Sequence, residues 1–67
     1  MKMLCRSKNW YIVSKFDLEE VLIKVPMGSI LIFGRGKTFL GPGWILIDWD
    51  TGEVLYEVKE STRFSIF

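Results

Sequence analysis

The stretch that most constrains the fold of this chain is residues 43–59, with the sequence GWILIDWDTGEVLYEVK. It holds two apolar runs of strand length, separated by Asp50, Thr51 and Gly52. Turn-forming residues between two such runs are typical of a β-hairpin. A two-residue loop would hold the β-branched Thr51 at positive φ, which is unfavourable. The sequence therefore predicts a four-residue loop over residues 50–53, built around a type I turn.

The predicted register of this hairpin places Trp49 opposite Val54, and it sorts the side chains onto two faces because alternate residues of a strand point to opposite sides. One face is apolar and is expected to meet the core: Ile45, Ile47, Trp49, Val54, Tyr56 and Val58. The other face mixes apolar and charged side chains: Trp44, Leu46, Asp48, Asp50, Glu53, Leu55, Glu57 and Lys59. Such a mixed face needs a cover or a partner. The predicted partner-binding residues are accordingly Trp44, Leu55, Asp48 and Glu57.

The pattern of residues 17–25 favours a short helix. The apolar side chains there recur at i, i+3, i+4 and i+7, the spacing of one helical face, at Leu18, Val21, Leu22 and Val25. Asp17 and Glu20 form an approximate capping box, and Pro26 marks the end of the helix. The β-branched content of residues 21–25 leaves a strand as the alternative.

The remaining segments complete a small mixed domain. Residues 1–8 are expected to be irregular, strands are predicted at 9–14, 30–33 and 61–67, and a glycine-rich loop is predicted at 34–43. The predicted fold class is α+β, with residues 1–67 forming one domain that has a mostly antiparallel sheet of about five strands and one short helix. An SH3-like small β-barrel without the helix is the alternative.

The apolar content of the chain points to self-association or to a protein partner. The chain has 67 residues and is 49% hydrophobic, with three Trp, five Phe and two Tyr. A chain of this length has a high ratio of surface to volume and cannot hide all of these side chains in one core. Some of them are therefore expected to lie at an interface. The composition predicts a homo-oligomer, a larger protein partner, or both.

Several kinds of chemistry are excluded by the residues that the sequence lacks. With no histidine and one cysteine, Cys5, the chain has no internal disulfide, no His-containing zinc site and no His-based catalysis. No catalytic, cofactor-binding or metal-binding residue is predicted, so the protein is not expected to be an enzyme. No apolar run approaches the roughly 20 residues of a membrane span, and no signal-peptide pattern is present. A cytoplasmic protein without a membrane partner is expected.

Residues 34–38, with the sequence GRGKT, are the stretch most similar to a phosphate-binding loop. The P-loop pattern needs a glycine where this chain has Leu31, and no helix is predicted after the lysine, so nucleotide hydrolysis is not expected. A flexible loop carrying Arg35, Lys37 and Phe39 would still be able to contact a nucleic-acid backbone and to stack on a base. Against this alternative, the formal net charge of +1 supplies no general attraction to nucleic acid.

The sequence thus predicts a non-enzymatic small interaction protein, a regulator or inhibitor that acts through protein–protein contacts and self-association. The alternative is a nucleic-acid or nucleotide-binding module that uses the basic, glycine-rich loop 34–43. On the first hypothesis, replacing Trp44 with alanine is expected to weaken association without unfolding the domain.

Overall fold

The described part of the chain is all-β, and the α+β class predicted from the sequence is wrong. The computed structural model describes residues 2–67. The strands are β1 (Lys2–Leu4), β2 (Trp10–Ser14), β3 (Val21–Val25), β4 (Ile30–Leu40), β5 (Trp44–Asp48), β6 (Val54–Glu57) and β7 (Thr62–Ile66). They form two antiparallel sheets: sheet A in the order β1-β4-β7, and sheet B in the order β3-β2-β5-β6. The lack of a helix among residues 2–67 agrees with the all-β alternative.

The segment predicted as a helix, residues 17–25, is a turn followed by strand β3. The Oδ1 atom of Asp17 accepts a hydrogen bond from the N–H of Glu19 at 3.0 Å, and the Asp17 carbonyl accepts one from the N–H of Glu20 at 2.9 Å. The helix-capping residues therefore close a turn. Three of the five residues of β3 are β-branched, which costs side-chain freedom in a helix and suits a pleated strand. No helix that could span a membrane occurs among residues 2–67.

The other predicted strands are found in the structure. The predictions for residues 9–14 and 61–67 are confirmed as β2 and β7, and residues 30–33 form the first part of β4. Residues 2–4, which were expected to be irregular, form β1 because they pair with the start of β4. The same prediction included Met1, which lies outside the described residues.

Strand β4 is longer than predicted, and the loop expected at residues 34–43 is wrong for residues 34–40. Phe33 and Thr38 both lie opposite Phe64 of β7, so the residues between them form a bulge within a continuous strand. Gly34, in this bulge, has a φ of 103°, a conformation that side chains with a Cβ rarely adopt. The glycines thus serve a wide bulge and not a free loop.

The hairpin of residues 43–59 is confirmed as β5 and β6, but its register differs from the prediction. The observed partners are Ile47 with Val54 and, beyond a bulge, Leu46 with Tyr56 and Ile45 with Glu57. The bulge adds one residue to β6, and such an addition moves every later side chain to the other face. Tyr56 and Val58 therefore share a face with Leu46, and not with Ile45.

The main core lies between the two sheets. Its buried side chains are Cys5, Trp10, Ile12, Val25, Leu31, Phe33, Leu40, Leu46, Val58 and Phe64. The molecule is thin in one direction, with extents of 27, 26 and 15 Å, as expected for two sheets stacked about 10 Å apart. Phe33 of sheet A stacks on Tyr56 of sheet B with ring centroids 4.1 Å apart. This aromatic contact ties the two sheets together.

Candidate functional site

The four residues predicted to bind a partner do not form one surface. Trp44 and Leu55 are partly buried and pack against the main core, so they are not on the face opposite the core as predicted. Asp48 accepts the N–H of Asp50 with its Oδ1 atom at 3.1 Å, which helps to hold the hairpin turn. Glu57 shares the outer side of sheet B with Ile45. Contact of these four residues with a partner stays a prediction.

The structure brings the alternative set, Arg35, Lys37 and Phe39, onto the outer face of sheet A. Arg35 and Lys37 lie over an open depression of about 320 Å³, which is also lined by Ile32, Gly36, Ser65 and Phe67. Phe39 points away from the core, because its neighbour Leu40 is buried in it. Phe39 is thus displayed by the paired part of β4, whereas Arg35 and Lys37 lie in its bulge.

The outer face of sheet A forms a larger surface around this set, which we call the basic face. Cross-strand pairing and the lining of the depression give its members: Lys2, Leu4, Ile30, Ile32, Arg35, Lys37, Phe39, Arg63, Ser65 and Phe67. Phe67 belongs to it because its backbone exchanges two hydrogen bonds of 2.9 Å with Ile30. The face therefore extends across all three strands of sheet A.

Positive charge is concentrated on the strands of sheet A. The strands of sheet A have the sequences KML, ILIFGRGKTFL and TRFSI. They carry four cations, at Lys2, Arg35, Lys37 and Arg63, and no acidic residue. All eight acidic residues of the chain lie either on strands of sheet B or in the connections between strands. Within residues 2–67, none of the four cations forms an ion pair. The basic face is thus locally positive, although the net charge of the chain is close to zero.

Two phenylalanine rings stand out from the basic face. Phe39 is 62% exposed and Phe67 is 70% exposed. Phe39 lies directly opposite Arg63, and Phe67 lines the depression with Arg35 and Lys37. Arg63 and Phe67 are four residue steps apart along an extended chain, a distance of about 13 Å. Each ring is therefore accompanied by at least one cation.

The outer face of sheet B is different in character, and we call it the apolar face. Its apolar members are Tyr11, Val13, Val21, Ile45, Ile47, Trp49 and Val54, and the exposed Lys24 lies opposite Tyr11 on the same side. Val13, Ile45 and Ile47 form a buried floor, whereas Val21, Trp49 and Val54 around them are about half exposed. The Tyr11 and Trp49 rings pack with centroids 5.2 Å apart.

An ion pair lies at the edge of the apolar face. The Nζ atom of Lys15 donates a hydrogen bond to the Oε1 atom of Glu57 at 2.8 Å. This hydrogen bond, with the positive charge of Lys15, lowers the pKa of Glu57 below its ordinary value. Both side chains are more than one third exposed, so water screens the pair and its contribution to stability is small.

The other chemical groups offer no reaction centre. Cys5 is buried, its thiol donates to the carbonyl of Ser7 at 2.9 Å, and burial raises the pKa of the thiol, so it is a poor nucleophile. Among residues 2–67, no group of three or more side chains is placed to hold a metal ion. A further depression of about 420 Å³ follows the β6–β7 connection, where Glu57, Lys59 and Glu60 alternate in sign.

Sequence reasoning identified Arg35, Lys37 and Phe39 but missed Arg63 and Phe67, which share their face. The signal was present: the three segments of sheet A contain no acidic residue. It is hard to see in the sequence because these segments are far apart in the chain, and because residues 34–40 of β4 are predicted as a loop.

Comparisons with known proteins provide no relative for this chain. No protein-family model matches it, and searches of the curated proteins and of the solved structures find no match. The two sheet faces are therefore interpreted from their own chemistry.

Proposed function

We propose that this protein is a non-enzymatic interaction protein that associates with a second copy of itself through the apolar face of sheet B. The observation that carries the proposal is an apolar cluster on the outer side of a sheet. Its floor of Val13, Ile45 and Ile47 is buried, while its rim is open to solvent. The exposed part is the rim of Val21, Trp49 and Val54, and grouped exposed apolar side chains mark interaction sites.

The composition of the apolar face suits an interface. Tyr11 and Trp49 supply aromatic rings of the type that carries most of the binding energy in protein interfaces. Trp49 is 48% exposed, so it still has surface to bury in a complex. Lys15 and Glu57, at the edge of the face, give the polar rim that is typical of such contacts.

The position of the face suits a dimer, because it lies on a broad side of the molecule, whose extents are 27 and 26 Å. Two copies can bury the same face against each other about a two-fold axis, the commonest arrangement of oligomers. A second copy is also a partner that is always present with the chain.

Light scattering over a wide range of protein concentration tests the proposal. We expect the mass to rise from the 7.8 kDa of one chain to about twice that value. Val54→Lys places a charge in the apolar face on an edge strand, where lysine is well tolerated, and should keep the protein monomeric.

Leu4→Lys is the matched control, because Leu4 is also apolar, about half exposed and on an edge strand, but belongs to the basic face. It should leave the mass of the dimer unchanged. A wild-type protein that remains monomeric at every concentration would refute the proposal. So would a dimer that is lost in Leu4→Lys and kept in Val54→Lys.

A further inference from the structure

We propose that the basic face of sheet A binds single-stranded nucleic acid. This inference goes beyond the proposed self-association, because it concerns the opposite side of the molecule. It rests on two features of one surface: cations without acidic neighbours, and exposed aromatic rings between them.

The cations suit a phosphate backbone. Lys2, Arg35, Lys37 and Arg63 all lie on the strands of sheet A, where no carboxylate competes for them. A phosphate chain that crosses the sheet meets a positive charge on each of the three strands. Neutralising these phosphates releases counterions, which is the main source of sequence-independent affinity for nucleic acid. The low net charge of the whole chain is not an objection, since its acidic residues lie elsewhere.

The aromatic rings suit unpaired bases. Phe39 and Phe67 are exposed on the outer face of sheet A, and proteins that bind single strands stack bases on rings displayed on a sheet. The rings lie near Arg63 and near Arg35 with Lys37, so phosphates next to a stacked base would find a cation. Stacking requires bases that are not buried in a duplex, which favours a single strand over a double helix.

The depression beside Phe67 adds a concave element to this surface. It has a volume of about 320 Å³, its floor contains Ile32 and Gly36, and Arg35 and Lys37 stand at its edge. A base would lie in this depression while its phosphate contacts the two cations.

Fluorescence anisotropy with a labelled oligothymidylate tests the inference on the full chain. Affinity should fall as salt rises, with a log–log slope approaching about −3 if all four cations contact phosphates. A duplex of equal length should bind more weakly, because its bases are not free to stack.

Two variants separate stacking from charge. Phe39→Ala should lower the affinity roughly 5- to 150-fold, the loss expected for one stacked base. Lys37→Gln should reduce the salt slope by about 0.7, the share of one phosphate contact.

The matched controls lie outside the basic face. Phe16→Ala removes another exposed phenylalanine, in the β2–β3 connection, and Lys24→Gln removes an exposed cation on β3. Neither should change the affinity or the slope. The circular dichroism spectrum and the melting temperature of each variant should match those of the wild type.

Four results would overturn the inference. The first is no binding of oligothymidylate at low salt, and the second is equal affinity of wild type and Phe39→Ala. The third is equal binding of polyglutamate, which would indicate attraction to any polyanion. The fourth is binding to vesicles of anionic lipid without binding to oligothymidylate, which would assign the face to a membrane. A Val54→Lys monomer that still binds oligothymidylate would separate this inference from the proposed dimer.

Discussion

Replacing Gly36 with alanine should strongly destabilise the domain, because the backbone of β4 lies against the backbone of β7 at this point. A Cβ atom built on Gly36 falls 2.0 Å from both the carbonyl carbon and the carbonyl oxygen of Phe64, and 2.5 Å from the nitrogen of Ser65. All three are backbone atoms, so no side-chain rotation relieves the clash. One of the two strands has to move.

The size of the effect follows from that movement. Ordinary van der Waals contact begins at 3.4 Å, so the strands must separate by about 1.4 Å, nearly half the length of a hydrogen bond. Two or three hydrogen bonds around Phe64 would be lost, at about 1 kcal/mol each and more where a buried group is left unpaired. We expect a loss of about 3 kcal/mol or more. The whole domain, at 67 residues, has a stability of only about 3–10 kcal/mol.

Thermal and urea unfolding, followed by circular dichroism and tryptophan fluorescence, measure this loss. The Gly36→Ala variant should melt roughly 12–24 °C below wild type, or be unfolded at room temperature. Gly41→Ala is the matched control, because a Cβ at Gly41 meets nothing within 4 Å. The free energy of unfolding of Gly41→Ala should stay within about 1 kcal/mol of the wild-type value. A Gly36→Ala variant that melts within about 3 °C of wild type would show that the bulge does not pack on β7 as described.

Three further outcomes test other parts of the fold. Trp44→Ala should lower the free energy of unfolding by about 2–4 kcal/mol, because the ring packs against the main core; an unchanged midpoint in urea would support the exposed position predicted from the sequence. The raised pKa of Cys5 stabilises the fold below the ordinary thiol value of 9.0, and this contribution is lost as pH rises through the folded-state value. In Cys5→Ala, the free energy of unfolding should therefore fall less steeply as pH rises into the alkaline range. The lowered pKa of Glu57 gives stability above the ordinary carboxyl value that is lost as pH falls through the folded-state value. Glu57→Gln and Lys15→Met should each remove this acid dependence, and high salt should weaken it in wild type.

The helix prediction for residues 17–25 was wrong because the helical spacing of the apolar residues competes with the preference of β-branched side chains for a strand. Leu18, Val21, Leu22 and Val25 fit one helical face, but β3 becomes an edge strand that pairs with β2. Three of these four side chains, at Leu18, Val21 and Leu22, are exposed, so the helical spacing does not describe a buried face. The strand is favoured because it pairs with β2 and because its β-branched side chains lose less rotamer freedom in a strand than in a helix.

The hairpin shows a different limit. The run Trp44, Ile45, Leu46 and Ile47 is apolar at every position, so alternation gives no clue to which face meets the core. The bulge in β6 then decides that Tyr56 and Val58 join Leu46. A bulge of one residue leaves no sequence signal of its own at this position. Tyr56 and Val58 therefore meet the main core as predicted, whereas the prediction was wrong for Ile45, Ile47, Trp49 and Val54, which lie on the outer face.

By itself, the sequence determined the hairpin and most strand positions, because aspartate, glycine and β-branched residues act on the backbone next to them. It also determined that the 67 residues contain no histidine and that apolar side chains exceed what one small core can hold. Only the tertiary structure decided how the strands divide into two sheets. That division brings β1, β4 and β7 together, and with them Lys2, Arg35, Lys37 and Arg63 on one face. The physical reason is that strand pairing joins residues far apart in the chain, so a surface charge pattern exists only after folding.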